Sequence, residues 1–360
     1  MLTGERAPRL LDQPSWFAAV MGTGATAVVA DLEPGRIAAL APISQALAWV
    51  WLGASVLFFV FLLIRNVFVR RLGRGLLASL RSPETGPSYA TFPGAINVLA
   101  VALLRVTDLT ESEAGRWLIL GMAVVGTGLG LMLTVIFFVA AFERDEFEAE
   151  EISGTWFIPE TVILLGATLF GDLSGTIDVS LQRTAAAISF ALLGIGLILF
   201  CFTAMLFFNR LVLHRQVEHV GAPAMWIMIS PLSVSALAIQ AVAADTAMLG
   251  GTWGPAVLQT ANFLAAILWG FSLWWVAVAT LITVHSGRRA LTFTAADWGF
   301  VFPSAALVLA TLTLGRFWES GFMEALGVLF SFLLLAVWCF VFVASIVALR
   351  RERRRAPAPQ

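Results

Sequence analysis

The feature that most constrains this chain is a strict alternation among its apolar stretches. Ten runs of 17 or more residues stand out, at about 14–30, 46–69, 90–108, 117–142, 156–171, 184–208, 223–243, 257–284, 297–314 and 321–349. Runs of that length cross the hydrocarbon core of a bilayer as helices. The even-numbered runs are long, rich in Leu, Phe, Ala and Val, and free of proline. The odd-numbered runs are shorter and interrupted by Pro, Gly, Thr or Ser: "PSWFAAVMGTG", "TFPGAIN", "GTWFIPE", "APAMWIMISP" and "WGFVFP". Five interrupted runs alternating with five plain ones make an internal repeat of a helical hairpin. With 59% hydrophobic and 12% charged residues, almost nothing remains for a separate aqueous domain.

The alternation has a physical reading. A plain helix pairs all its backbone groups internally and can face lipid, whereas an interrupted one must be shielded by protein or line a wet cavity. Five interrupted helices therefore make an inner ring around a candidate conduit, inside an outer ring of plain ones. Kinks are expected at Pro93, Pro159, Pro231 and Pro303. An interior proline costs roughly 3 kcal/mol, because it removes a helix hydrogen bond and clashes with the carbonyl four residues back. For Pro303 that carbonyl belongs to Gly299.

All 22 cationic side chains are arginine. With the N-terminus inside, seventeen of them fall on cytoplasmic stretches, including five in the tail "RRERRR". The opposite face holds Arg36, Arg116, Arg183 and Arg316, while Arg105 lies within the third run. The positive-inside rule then puts both termini in the cytoplasm, as expected for a multi-pass protein of the inner (plasma) membrane. The organisation is a cytoplasmic segment 1–13, a ten-helix domain 14–349 and an Arg-rich tail 350–360. The first run loosely resembles a signal peptide, but its "GTG" interruption and the nearby Asp12 favour a retained helix. Cys201 and Cys339 lie in apolar runs, without the spacing of a disulfide framework or metal site.

"PSWFAAVMGTG" (14–24), "GTWFIP" (154–159), "WIMISPLS" (226–233) and "WGFVFP" (298–303), with "TFPG" (91–94) as the fifth, resemble the motifs of the tellurite-resistance/dicarboxylate transporter family. That family includes fungal malate permeases and sulfite exporters and the slow-type anion channels of plant guard cells. The resemblance runs from about residue 14 to 345. It implies five helical hairpins around a central pore, a homotrimer with one pore per subunit, and transport of small inorganic or carboxylic anions. It also implies a phenylalanine of the ninth helix that occludes the pore. On "FVFP" that phenylalanine is Phe302.

Beside the kink at Pro303, the Phe302 ring is placed to form a hydrophobic constriction that blocks ions by dewetting. Phe157, near Pro159, is a second gate candidate, the alternative being helix packing. A pore without a basic lining can still favour anions if the second half of each broken helix presents poorly paired N–H groups and a partial positive end. Thr23, Thr91, Thr155, Ser230 and Ser304 lie near the breaks as hydroxyl donors, or else bond locally to their own helices. Arg105 either draws anions into an outer vestibule, or snorkels or pairs with Asp108.

Glu160 directly follows Pro159. An intramembrane carboxyl is costly, so it is a candidate for proton coupling, or a neutral acid bonded to a freed carbonyl. An apolar or small residue is more usual there in the family. Asp297 reads as the cap of the ninth helix. "GTGLG" (126–130) reads as a close helix contact.

His214 and His219 are five apart, a poor spacing for paired ligands on one helical face. The pattern holds no metal site, no nucleophile–base–acid arrangement and no phosphate-cradling glycine motif. No cofactor and no nucleic-acid partner is therefore expected, and an enzyme is disfavoured. Competing with a gated channel are a proton-coupled carrier and a membrane sensor or assembly subunit, the last suggested by the acidic run 143–151 and the arginine tail.

Overall fold

Ten long helices account for the ten apolar runs in a computed structural model that describes residues 10–32, 41–68, 76–146, 148–213, 221–249, 251–286 and 293–355. They are α1 (Phe17–Leu32), α2 (Ala41–Phe68), α3 (Thr91–Val106), α4 (Glu113–Phe142), α5 (Phe157–Ser174), α6 (Val179–Leu213), α7 (Ile229–Leu249), α8 (Gly254–Ser286), α9 (Val301–Phe317) and α10 (Gly321–Arg355). Among the described residues there is no strand. The chain is an all-α multi-pass membrane protein. His214 and His219, and nine of the arginines used above for orientation (Arg6, Arg9, Arg36, Arg70, Arg71, Arg74, Arg215, Arg288 and Arg289), lie outside the described residues.

Burial separates the two kinds of helix. In the odd spans 67% to 83% of the most apolar stretch is buried, against 17% to 33% in the even spans. Leu57 and Phe61 on α2, Met205 on α6, Leu281 on α8 and Phe332 on α10 are exposed. An apolar surface that large is stable only in lipid. Each odd helix packs against the even helix that follows it. The odd helices also pack on one another in a closed order, α1 on α3, α3 on α5, α5 on α7, α7 on α9 and α9 on α1. Both ends of the chain meet on one face, where the Leu10 amide donates to Glu352 Oε1 at 2.8 Å.

The prolines correct the expectation of interior kinks. A short turn precedes each odd helix: 3-10 turns at Pro14–Trp16, Gly86–Ala90, Gly154–Trp156 and Ala295–Phe300, and a short α-helix at Ala222–Ile227. Pro93, Pro159, Pro231 and Pro303 each stand third in the α-helix that follows. A first-turn residue has no helical acceptor for its N–H, so proline there gives up nothing. The break thus lies at the end of each span.

Some boundaries also differ. Helices α2 and α8 start earlier than their runs and take in Pro42 and Pro255, both in first turns where proline is tolerated. The arginine tail is helical as far as Arg355, as a continuation of α10. Asp297 is the third residue of a capping box, with Thr294 as the cap and its amide 2.6 Å from Asp297 Oδ2.

Glycines set the closest approaches. A Cβ on Gly22 would meet Val301 Cβ at 2.9 Å, and one on Gly24 would meet Val98 Cγ1 at 2.9 Å. These contacts give "GTG" a packing role. In "GTGLG", Gly126 closes on Asn97 and Gly130 on Val162, 2.7 Å from a would-be Cβ. The tightest backbone contact fixes the entry to α5, where a Cβ on Gly154 would lie 2.6 Å from the Ala224 carbonyl carbon. Gly154→Ala is expected to lower thermal stability in detergent by about 1–3 kcal/mol through this overpacking. Gly128→Ala, with open space around its would-be Cβ, is expected to melt like the wild type. Identical melting of the two variants would show that the Gly154 contact carries no weight.

Candidate functional site

The turns that lead into the odd helices converge on one small cavity of about 40 Å³, lined by residues from all five. Its wall follows helical spacing. Ser15, Ala18 and Met21 come from α1 and its leading turn, Ser88 and Thr91 from α3 and its turn, Thr155, Ile158 and Thr161 from α5 and its turn, and Ile227 and Ser230 from α7 and the short helix before it. The entry to α9 adds Ala296, Trp298, Gly299, Phe302 and Pro303. Steps of three residues keep each set on one helical face. Among the described residues no charged side chain lines the space, which has room for at most a few waters.

Phe302 is buried here at the start of α9, and it and Trp298 are the bulkiest side chains on the wall. Gly22 brings α1 within 3.4 Å, measured from a would-be Cβ, of the Phe302 amide nitrogen. Behind the helix stands an aromatic stack. Trp298 lies against Phe58 at 6.4 Å and Trp338 at 6.2 Å, and Trp338 lies on Phe342 at 5.0 Å. Trp298 Nε1 also donates to Ser345 Oγ at 3.2 Å. The backbone carrying Phe302 is therefore held from two sides while its ring faces the cavity.

Phe157 does not reach this space. It is fully buried against α6, with ring centroids 6.0 Å from Phe200 and 5.3 Å from Phe207. Ile158 takes the cavity position in its stead. Ile158 directly precedes Pro159 as Phe302 precedes Pro303, and a one-residue shift turns a side chain by about 100° on a helix.

The hydroxyls divide similarly. Thr91 and Thr155 line the cavity with Ser230. Thr91 Oγ1 donates to the Pro14 carbonyl at 3.0 Å and the Ser88 carbonyl at 2.7 Å, and Thr155 Oγ1 sits 2.5 Å from Ser153 Oγ. Ser304 donates to the Phe300 carbonyl at 2.7 Å and lies outside the lining. Thr23 also lies outside it, accepting from Trp338 Nε1 of α10 at 3.1 Å. The expectation of poorly paired N–H groups needs correction as well. In four of the helices the leading turn satisfies the first amide, those of Phe17, Thr91, Phe157 and Val301 donating to carbonyls of the turn before each. What remains at the cavity is the partial positive charge of the helix N-terminal ends.

Glu160 points away from the cavity. It is 0% exposed, and neither carboxyl oxygen has a hydrogen-bond partner. Two residues beyond Ile158, it faces α6, where Thr203 is its polar neighbour and is also buried without a partner. Arg105, at the far end of α3, is held by Asp172 of α5 at 2.7 Å and not by Asp108, the pairing that was one of its expected alternatives. Thr107 is extended (φ −125, ψ 159), which ends the helix before a one-turn pairing with Asp108 can form. Cys201 and Cys339 are free and exposed on even helices. Among the described residues no three metal-ligating side chains cluster.

Sequence reasoning missed Ser15, Ala18, Met21, Ser88, Ile158, Thr161, Ile227, Ala296, Trp298 and Gly299. A signal for some of them was present: Ile158 itself precedes a proline, and stepping three residues from Ile158, Ser230 and Phe302 reaches Thr161, Ile227 and Gly299.

Comparison with known proteins adds a lineage. The profile of the voltage-dependent anion channel family matches residues 13–346. An uncharacterised transporter of Methanocaldococcus jannaschii is 22% identical over 93% of this chain and 94% of its own. A sulfite efflux pump of Trichophyton rubrum is 22% identical over 92% of this chain and 89% of its own. The malic acid transport protein of Schizosaccharomyces pombe is 20% identical over 90% of this chain and 75% of its own.

The position of Pro303 makes a prediction opposite to that of an interior proline. Pro303→Ala restores an N–H where none is needed, so its melting free energy is expected to stay within about 1 kcal/mol of wild type. A gain of about 3 kcal/mol would mean that proline strains the helix after all.

Proposed function

Since this chain belongs to the voltage-dependent anion channel family, we propose that it conducts small anions along the axis of an inner ring formed by α1, α3, α5, α7 and α9, with Phe302 as the gate. One observation carries the reading: the turns of all five buried helices meet at a single charge-free cavity, and a phenylalanine ring fills its side. A constriction of that size and polarity stops ions by dewetting, and it opens when the ring swings aside. Five helix N-terminal ends supply a weak positive field, which suits passage better than tight binding.

The substrates we propose are sulfite-like oxyanions and C4-dicarboxylates such as malate, following the named relatives, with tellurite, nitrate and chloride as further small anions to test. The protein then sits in the plasma membrane with both termini in the cytoplasm, as the arginine distribution favours, and works as a homotrimer with one path per subunit.

The test is anion flux into proteoliposomes under clamped voltage. Phe302→Ala is expected to pass sulfite, malate and chloride at least tenfold faster than wild type, following the voltage. A variant no faster than wild type sinks the gate assignment.

A proton-coupled carrier is the second reading, favoured by the orphaned carboxyl of Glu160. Ionising such a group without a partner is expensive. For a channel, Glu160→Gln leaves flux unchanged and stability equal or higher. For a carrier, the same variant loses the response of flux to a proton gradient.

A further inference from the structure

Away from the gate, each buried helix carries one ionisable residue close to its C-terminal end: Asp31 on α1, Arg105 on α3, Asp172 on α5, Asp245 on α7 and Arg316 on α9. In the order in which these helices touch, the signs run minus, plus, minus, minus, plus. A closed cycle of five cannot alternate throughout, so at least one like-charged neighbour pair is unavoidable. Here it is Asp172 beside Asp245. Elsewhere the belt is compensated. Arg105 binds Asp172 at 2.7 Å, Asp31 lies within electrostatic reach of both Arg105 and Arg316, and Arg316 donates to the Leu32 carbonyl.

A cavity of about 380 Å³ opens where alternation fails, with Arg105, Asp172 and Asp245 in its wall beside Thr110 and Thr176. It is far larger than the gate cavity and roomy enough for a hydrated anion. Asp245 is 1% exposed. Its Oδ1 accepts from Ser174 Oγ at 2.5 Å, while its Oδ2 has no partner. Among the described residues Arg105 is thus the single cation lining a space that holds two carboxyl groups, and an anion entering it competes with Asp172 for that cation.

We propose that this cavity is a second anion station, in which an incoming oxyanion displaces Asp172 from Arg105 and the Asp172–Asp245 pair sets the electrostatic threshold for entry. The inference rests on the transport reading above. A guanidinium presents a planar fork of donors that fits a carboxylate or sulfite better than a spherical halide. The station therefore selects oxyanions over chloride, and Asp172 occupies the same fork when no anion is present.

The experiment measures sulfite, malate and chloride flux in proteoliposomes, in wild-type and Phe302→Ala backgrounds. Asp172→Asn is expected to raise sulfite and malate flux several-fold, Asp245→Asn less so, and Asp172→Glu to stay near the parent. Arg105→Lys keeps the charge but loses the fork, so the sulfite-to-chloride ratio is expected to fall several-fold with chloride flux maintained. Unchanged flux in Asp172→Asn with an unchanged ratio in Arg105→Lys overturns the station and leaves the transport reading intact. If Asp172→Asn fails to fold on melting, the Arg105→Lys ratio decides alone. If neither background passes any anion, the transport reading falls and the station with it.

Discussion

Backbone pairing in lipid is the constraint on which the rest of this structure depends. A membrane interior offers no water, so every amide and carbonyl that faces it needs a partner within the protein. The even helices meet the demand with unbroken α-helix and can show their apolar faces to lipid. The odd helices open with a turn of different geometry, and they are the five whose stretches are largely buried. Proline fits at the third position because the turn before it already satisfies the first amides. Short leading segments, four of them 3-10 turns and one α-helical, send five helix starts toward one place, and four of the five carry the proline.

Sealing has a cost in chemistry. Hydroxyls on the wall are turned to carbonyls, as with Thr91 and Thr161, and the first amides of four helices are engaged. The closed cavity therefore offers dipoles without free donors from these groups. Holding the Phe302 backbone through Gly22 and the Trp298 stack confines adjustment to the ring itself, since a packed backbone resists displacement while an aromatic χ1 can still change.

The alternation, the ten spans and the division into buried and exposed helices were legible in the sequence because they follow from pairing and polarity, which each segment reveals locally. The site was legible only where a local marker fixed the helical phase. Phe302 touches Pro303, and the pair sits at the cavity. Phe157 was judged by its proximity to Pro159 without its register, and one residue of phase separates a cavity wall from a packing face. Glu160 was singled out as an intramembrane carboxyl, but which side it faces depends on α6, more than thirty residues away. The partner of Arg105 was out of reach for the same reason. Asp172 is distant in sequence, and the nearby Asp108 is lost because α3 ends before it. Local chemistry fixed what each helix is; packing between distant helices fixed which way its side chains point.

The two ends of the buried helices are electrostatically unlike. At their starts the macrodipoles present partial positive charge to a space lined by no ionised side chain. At their far ends the same dipoles present partial negative charge, and three aspartates add to it. Arg105 and Arg316 are the only cations these five helices place there to oppose it. On the proposed path a small anion therefore meets a favourable field at the constriction and an unfavourable one at the far mouth. Each feature balances the other: the constriction needs a pull to draw an ion into an apolar neck, and the far mouth needs a barrier to keep that pull from trapping the ion. On the proposed route, passage past the far mouth then depends on Arg105 and on how firmly Asp172 holds it.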